Sequence, residues 1–309
     1  MKSPEASARP HQHSRSRVIA AFVAVYIVWG STYLAIRYAV ETIPPFLMVG
    51  TRFLVSGAIL YAWSRWRGAG RPTRAQWRDA FVTGVLLLCC GNGAVAWAEQ
   101  RVPSGLAALL VAIVPLWMVV VEWLRPRGVR PSVSIVAGIF VGLVGLIVLI
   151  GPRTLVGDGG VDRLASVVLV VASLAWAAGS VYNRYGSRPD SALMSTGLQM
   201  ITGSVGLLLV GVAAGELGTL HLAQVSFPSW MGWLYLVTFG SLVGFTAYVY
   251  LLRAVSPAKA STYAYVNPVV AVFLGWAIAG EPVTMRTLAA AAIILGGVAM
   301  ITISQNKAA

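Results

Sequence analysis

Apolar residues in this chain come in long runs separated by short polar breaks, and the runs are longer than a β-strand and apolar on every helical face. Crossing ~30 Å of hydrocarbon takes roughly 20 predominantly apolar residues. Runs of that length predict ten helices, over 18–38, 46–63, 80–98, 103–123, 131–150, 164–182, 190–213, 230–251, 257–279 and 285–303. What remains is a polar tail over 1–17, short connections, and a second tail over 304–309, with no stretch left for a soluble domain. The first run follows a basic leader (Arg9, Arg15, Arg17), but it is longer than a signal-peptide core. Trp29, Tyr33 and Arg37 stand where the small residues of a cleavage site belong. It is read as the first span.

Composition agrees. Of 309 residues, 58% are hydrophobic and only 11% charged, whereas a soluble domain carries about a quarter charged residues. A disordered chain lacks such apolar content. Cys89 and Cys90 are adjacent within an apolar run, a spacing that fits neither a disulfide framework nor a CxxC metal or redox site. The reading is an all-α integral membrane protein.

Charge then orients it. With the N-terminus inside, the cytoplasmic segments carry Lys2, Arg9, Arg15, Arg17, Arg65, Arg67, Arg71, Arg74, Arg78, Arg125, Arg127, Arg130, Arg184, Arg188, Arg253, Lys259 and Lys307. The other side carries only Arg37, Arg101, Arg153, Arg163 and Arg286. Basic residues sort to the cytoplasm, so both termini are expected there. The net charge of +13 follows from this sorting and implies no nucleic-acid partner; the lipid bilayer is the expected surrounding.

The chain also repeats itself. Trp29-x7-Arg37-Tyr38 in the first span recurs as Trp176-x7-Arg184-Tyr185 in the sixth, and Ala107-x7-Pro115 in the fourth as Ala260-x7-Pro268 in the ninth. Two units result, 18–150 and 164–303, of five spans each. An odd number of crossings makes the second unit enter from the opposite side. The expected architecture is therefore ten transmembrane helices in two inverted five-helix repeats, a construction recurrent in secondary transporters.

Polar groups and helix breakers near span centres are the candidate chemistry, because hydrocarbon tolerates them only where a neighbour or cavity satisfies them. Pro115 and Pro268 each leave a carbonyl unpaired four residues back, which marks them as hinge or cavity-lining positions, packing kinks being the alternative. Gly91-Asn92-Gly93, Gln199, and Gly240-Ser241 with Gly244 weaken or polarise the third, seventh and eighth spans. Trp29, Tyr33, Trp117, Trp176, Tyr182, Tyr248 and Tyr263 gather at similar depth, where aromatic faces with a few amides and hydroxyls suit a small amphipathic solute. Arg52 is a formal charge well inside a span. It either attracts a substrate carboxylate or pairs with Glu99. Thr32, Arg52, Asn92, Gln199, Tyr263 and Asn267 are the expected polar contacts; Trp29, Tyr33, Trp97, Trp117, Trp176, Tyr182 and Tyr248 are the expected walls. Glu122 is expected to meet Arg125 or Arg127 at the interface. The glycines at 138, 142, 145, 296 and 297 mark the fifth and tenth spans as close-packing scaffold or a subunit contact, which leaves monomer and homodimer open.

Catalytic signatures are missing. The three lysines (Lys2, Lys259, Lys307) form no GxxxxGK[ST], and the three histidines (His11, His13, His221) form no HExxH. No catalytic residue, cofactor or metal is expected.

Taken in order, Trp29-Gly30-Ser31-Thr32-Tyr33, Pro44-Pro45-Phe46, Arg52-Phe53-Leu54, Val102-Pro103-Ser104-Gly105-Leu106, Pro115-Leu116-Trp117 and Gly280-Glu281-Pro282 resemble the EamA-type permeases of the drug/metabolite transporter superfamily over about 18–303. The resemblance implies two EamA repeats around a central cavity lined by spans 1–4 and 6–9, and export of amino acids, related metabolites or drugs across the bacterial inner membrane. A lipid-modifying enzyme and a non-transporting membrane subunit are the alternatives.

Overall fold

The computed structural model describes residues 15–126, 128, 130–150, 162–254 and 263–308. Most of the N-terminal tail, Arg127, Arg153 and the landmark Ala260 lie outside them. The described residues are helical, with no strand.

Seven helices are long and apolar enough to cross a membrane: α1 (Arg15–Ala39), α2 (Pro45–Trp66), α3 (Arg74–Ala98), α4 (Ser104–Leu124), α6 (Arg163–Tyr185), α7 (Ala192–Ala213) and α8 (Phe227–Leu251). Three further helices, α5 (Val133–Ile150), α9 (Tyr263–Ala279) and α10 (Met285–Ala308), have shorter apolar stretches. Several helices outrun the apolar runs because polar turns extend them. At the start of α3, the Thr73 hydroxyl and Gln76 amide cap one another's backbone N–H groups, satisfying donors that a helix start leaves free. The 25 residues of α1 span about 37 Å at 1.5 Å per residue.

One end of the bundle is basic, with Arg65, Arg67, Arg71, Arg74 and Arg78 between α2 and α3 and Arg184 and Arg188 after α6. At the opposite face lie Glu41, Glu99, Asp162, Glu216 and Glu281.

The helices pair across the two halves of the chain. α2 packs on α7 and α5 on α10; α1 packs on α8 and α9, while α6 packs on α3 and α4. Small residues make the close approaches. A Cβ on Gly297 would stand 2.7 Å from the Gly138 carbonyl oxygen and 2.7 Å from the Gly142 nitrogen, so α5 and α10 meet backbone to backbone. Gly57 and Gly197 do the same for α2 and α7.

Acids of the second half hold helix starts of the first. Glu216, after α7, accepts the N–H groups of Phe46 (3.2 Å) and Leu47 (2.8 Å) at the start of α2. Glu281, after α9, accepts those of Ser104 (2.8 Å) and Gly105 (3.0 Å) and the Ser104 hydroxyl (2.9 Å) at the start of α4. A carboxylate there meets both the free donors and the positive end of the helix dipole. Gly280, at φ +63°, turns the chain back so that Glu281 reaches α4, a conformation that glycine adopts without steric cost. Burial raises the Glu216 carboxyl above the usual carboxylate range, opposed by the Leu47 and Phe46 N–H groups.

Candidate functional site

Two helices change pitch in mid-course. Val85–Gly93 in α3 and Leu236–Val243 in α8 are wound as π-helix, the stretches that the glycine-amide and glycine-serine clusters single out in the sequence. The π ladder is rare and usually sits at functional sites. It leaves backbone carbonyls out of the regular pattern, and side chains take them up. The Asn92 amide donates to the Leu87 carbonyl at 3.4 Å, and the Trp29 indole N–H donates across from α1 to the Gly240 carbonyl at 3.2 Å.

Trp29 is the centre of an aromatic cluster. Phe245 (5.3 Å between ring centroids), Tyr248 (5.1 Å) and Tyr263 (5.1 Å) surround it, the last edge-on, and Tyr248 and Tyr263 themselves meet at 5.5 Å. Such edge-to-face pairs add about 0.5–1.5 kcal/mol each beyond burial. Gly244 leaves the room for the indole, since a Cβ there would collide with it. On the other side of Gly240 stand the Thr32 methyl and the Arg52 guanidinium, each about 3 Å from where a Gly240 Cβ would be.

Arg52 is 3% exposed. Its Nε donates to the Ser241 Oγ at 3.0 Å, and its guanidinium lies 4.7 Å from the Phe53 ring centroid. Its Nη1 is buried without a hydrogen-bond partner among the described residues. The alternative of an ion pair with Glu99 is not formed: Arg52 turns to the π segment of α8, and among the described residues neither Glu99 oxygen has a hydrogen-bond partner. The reason is reach across the bundle, because α2 packs against α8 at this level. A buried cation costs about 2.5–3.5 kcal/mol on insertion scales, and one neutral hydroxyl offsets little of that.

Asn267 completes this group. Its backbone carbonyl abuts Gly30, and its side-chain Oδ1 is buried without a partner among the described residues. Tyr33 packs against the core from α1. Sequence reasoning named Trp29, Thr32, Arg52, Tyr248, Tyr263 and Asn267, which are held together on α1, α2, α8 and α9. It missed Phe245 as a wall and Ser241 as the partner of Arg52, although the Ser241-x2-Gly244 pattern carried the signal.

A second group forms on α3 and α6, where Trp176 lies against Gly91 in the other π segment, beside Asn92. Gln199 belongs to a separate network, donating to the Asn183 side chain at 3.0 Å and Ser195 at 3.2 Å. Tyr182 sits toward the basic face, its hydroxyl donating to Asp79 at 3.1 Å, and Asp79 also accepts the Ser187 N–H at 2.7 Å. Trp97 stacks under the Arg101 guanidinium at 4.0 Å at the opposite face. Trp117 follows the break in α4 and buries its Nε1 without a partner among the described residues. The two prolines differ: α4 is interrupted at Ala112–Ile113, just before Pro115, whereas α9 runs on through Pro268. A cavity of about 630 Å³ between α1 and α8, lined by Arg17, Ala20, Ala21, Val243, Thr246 and Tyr250, includes none of the expected site residues. Among the described residues no cluster of His, Cys, Asp and Glu is suited to a metal ion.

At the basic face, the Tyr185 hydroxyl donates to Glu122 at 2.6 Å, and Arg125 lies 3.3 Å over the Tyr185 ring and 4.0 Å from Glu122. At the opposite face, Arg37 at the end of α1 meets Glu281 at 3.6 Å.

Sequence comparison matches residues 16–151 and 163–303 to the EamA-like transporter family. The chain is 39% identical over 289 residues to the uncharacterized inner membrane transporter YedA of Escherichia coli (strain K12), covering 92% of this chain and 90% of that one. It is 26% identical over 297 residues to the uncharacterized transporter YvbV of Bacillus subtilis (strain 168), covering 96% and 93%. A protein of known crystal structure shares the fold at a TM-score of 0.64 and 21% identity, over 96% of this chain and 99% of that one. The sequence match spans both halves of the chain and nearly the full length of these relatives, so the protein is a multi-pass membrane protein that belongs to the EamA-like transporter family.

Proposed function

We propose that the chain is a secondary transporter of the bacterial inner membrane, exporting small metabolites (amino acids, related compounds or drugs) by alternating access. Its ten spans form two inverted five-helix repeats, with the basic face and both termini cytoplasmic. The pairing of helices supports this reading: α1 on α8 and α9 has its counterpart in α6 on α4 and α3. A twofold axis in the membrane plane generates that exchange. The matched π segments, each met by a tryptophan of the other half (Trp29 on α8, Trp176 on α3), support it further.

The observation that carries the substrate site is Arg52, buried with one free N–H-bearing nitrogen beside the Trp29 aromatic cluster. An anionic or strongly dipolar group of a solute would satisfy the cation, and its apolar part would lie on the rings. Thr32, Tyr33 and Asn267 supply further polar contacts. Asn92, Trp97, Trp117, Trp176, Tyr182 and Gln199, on α3, α4, α6 and α7, line the rest of the path, and Pro115 and Pro268 are the hinges. Arg37–Glu281 closes one end and Tyr185–Glu122–Arg125 the other.

Counterflow in proteoliposomes tests the reading, with a panel of radiolabelled amino acids and cationic drugs. Saturable exchange of at least one class is expected. No exchange of any class, with correctly inserted protein, overturns it.

A further inference from the structure

Glu99 follows the last turn of α3 at the face opposite the basic one. It is 2% exposed, and both carboxyl oxygens are buried without a hydrogen-bond partner among the described residues. An ionised carboxylate in that condition is disfavoured, because the backbone and charge of Arg37 replace only part of the water it has lost. A structural acid would be expected to do what Glu216 and Glu281 do, which is to bind a helix start. Glu99 does not.

The surroundings complete the picture. α1 brings Tyr33 and Arg37, both of which interact electrostatically with Glu99. The α9–α10 connection brings Glu281, a second carboxylate acting on the same site. The start of α4 adds Ser104, whose donors are spent on Glu281. From α6, Arg163 and Asp162 lie at this face, with Asp162 held by Arg101 at 3.6 Å. On α2, Arg52 is turned to α8. Arg37 is therefore the cation shared by two acids, and it lies at 3.6 Å from Glu281. Glu281 is engaged by three hydrogen bonds and that cation; Glu99 has only the weaker pull of Arg37 against its burial. Burial, reinforced by Glu281, pushes the Glu99 carboxyl well above the usual carboxylate range, against the pull of Arg37.

We propose that Glu99 is the proton-binding site that couples this transporter to the proton gradient. The proposal rests on the transporter reading above and names its driving ion. With the Arg37–Glu281 contact closed, Glu99 holds a proton. When α1 and the α9–α10 connection part, water reaches the carboxyl, the proton passes to it, and the carboxylate left behind competes with Glu281 for Arg37. Reprotonation removes that competition and lets the contact reform. A proton suits the site better than a metal ion, because among the described residues no cluster of His, Cys, Asp and Glu is suited to hold one.

Two measurements test the assignment. Infrared difference spectroscopy of the purified full-length protein is expected to show the C=O stretch of a protonated carboxyl at pH 7. That band is lost in Glu99→Gln and returns with a displaced titration in Glu99→Asp. Absence of the band in wild type, or its persistence in Glu99→Gln, overturns the proposal whatever the transport assay shows. In proteoliposomes enclosing a pH-sensitive dye, solutes of the same panel that show counterflow are expected to move protons with wild type. With Glu99→Gln they exchange without proton movement. Undiminished proton movement in Glu99→Gln overturns the coupling role. Absence of counterflow in wild type contradicts the transporter reading instead, and the infrared result still decides the state of Glu99.

Discussion

Trp29 and Gly240 are joined by a hydrogen bond of 3.2 Å from the indole of one helix to a backbone carbonyl of another. The carbonyl lies in the stretch Leu236–Val243 of α8 that is wound as π-helix, so the bond ties the aromatic cluster to that segment. Replacing Trp29 with Phe removes a bond with a net value of about 0.5–1.5 kcal/mol and keeps the ring. Replacing it with Ala costs about 3–5 kcal/mol. Thermal midpoints in detergent should rank wild type, Trp29→Phe, Trp29→Ala in falling order.

Gly244 faces the same indole, and any side chain there displaces it. Gly244→Val is expected to cost about 1–3 kcal/mol through overpacking and to shift the tryptophan emission. An unchanged midpoint and spectrum would show that the indole is not held against α8.

At Gly297 the nearest atoms of α5 are all backbone, so no side chain there can yield. A Cβ at Gly297 meets the backbone of Gly138 and Gly142 at 2.7 Å, so Gly297→Leu should sharply reduce the yield of monodisperse protein. Gly296 has open space around it, and Gly296→Leu should leave the yield unchanged. Size-exclusion profiles of the two variants make the comparison directly.

Stability should depend on pH through Glu99. An acid whose folded-state pKa is raised stabilises the fold while protonated, and that contribution is lost as pH rises from its unfolded value, about 4.3, through the raised folded value. Glu99→Gln lacks this loss. The midpoint of Glu99→Gln minus that of wild type should therefore grow with pH across this window and then level off. A difference independent of pH would contradict the buried, protonated carboxyl.

The approximate extent of most helices was legible in the sequence, because a bilayer imposes a run length that short polar breaks cannot disguise. Even so, α3 begins at Arg74 and α10 continues to Ala308, beyond the apolar runs 80–98 and 285–303. α7 ends at Ala213 and α9 at Ala279, where the apolar runs end. Long-range partners were not legible. Arg52 and Ser241 are 189 positions apart and Ser104 and Glu281 are 177 apart, and no local pattern announces either pair. The prolines read alike in sequence, yet α4 breaks before Pro115 while α9 continues through Pro268. The aromatic cluster was legible in part, through Trp29, Tyr248 and Tyr263, since rings at mid-depth stand out from the interface belt.

Accessibility of Thr32 tests the central claim most directly. With Cys89 and Cys90 replaced by alanine, Thr32→Cys places one thiol beside Gly240 and Arg52. Labelling by a membrane-impermeant thiol reagent is then compared in right-side-out and inverted vesicles. Alternating access around this cluster predicts labelling from both sides, slowed by any solute of the panel that the protein exchanges. A thiol reached from neither side, or labelled only by lipid-soluble reagents, would contradict it.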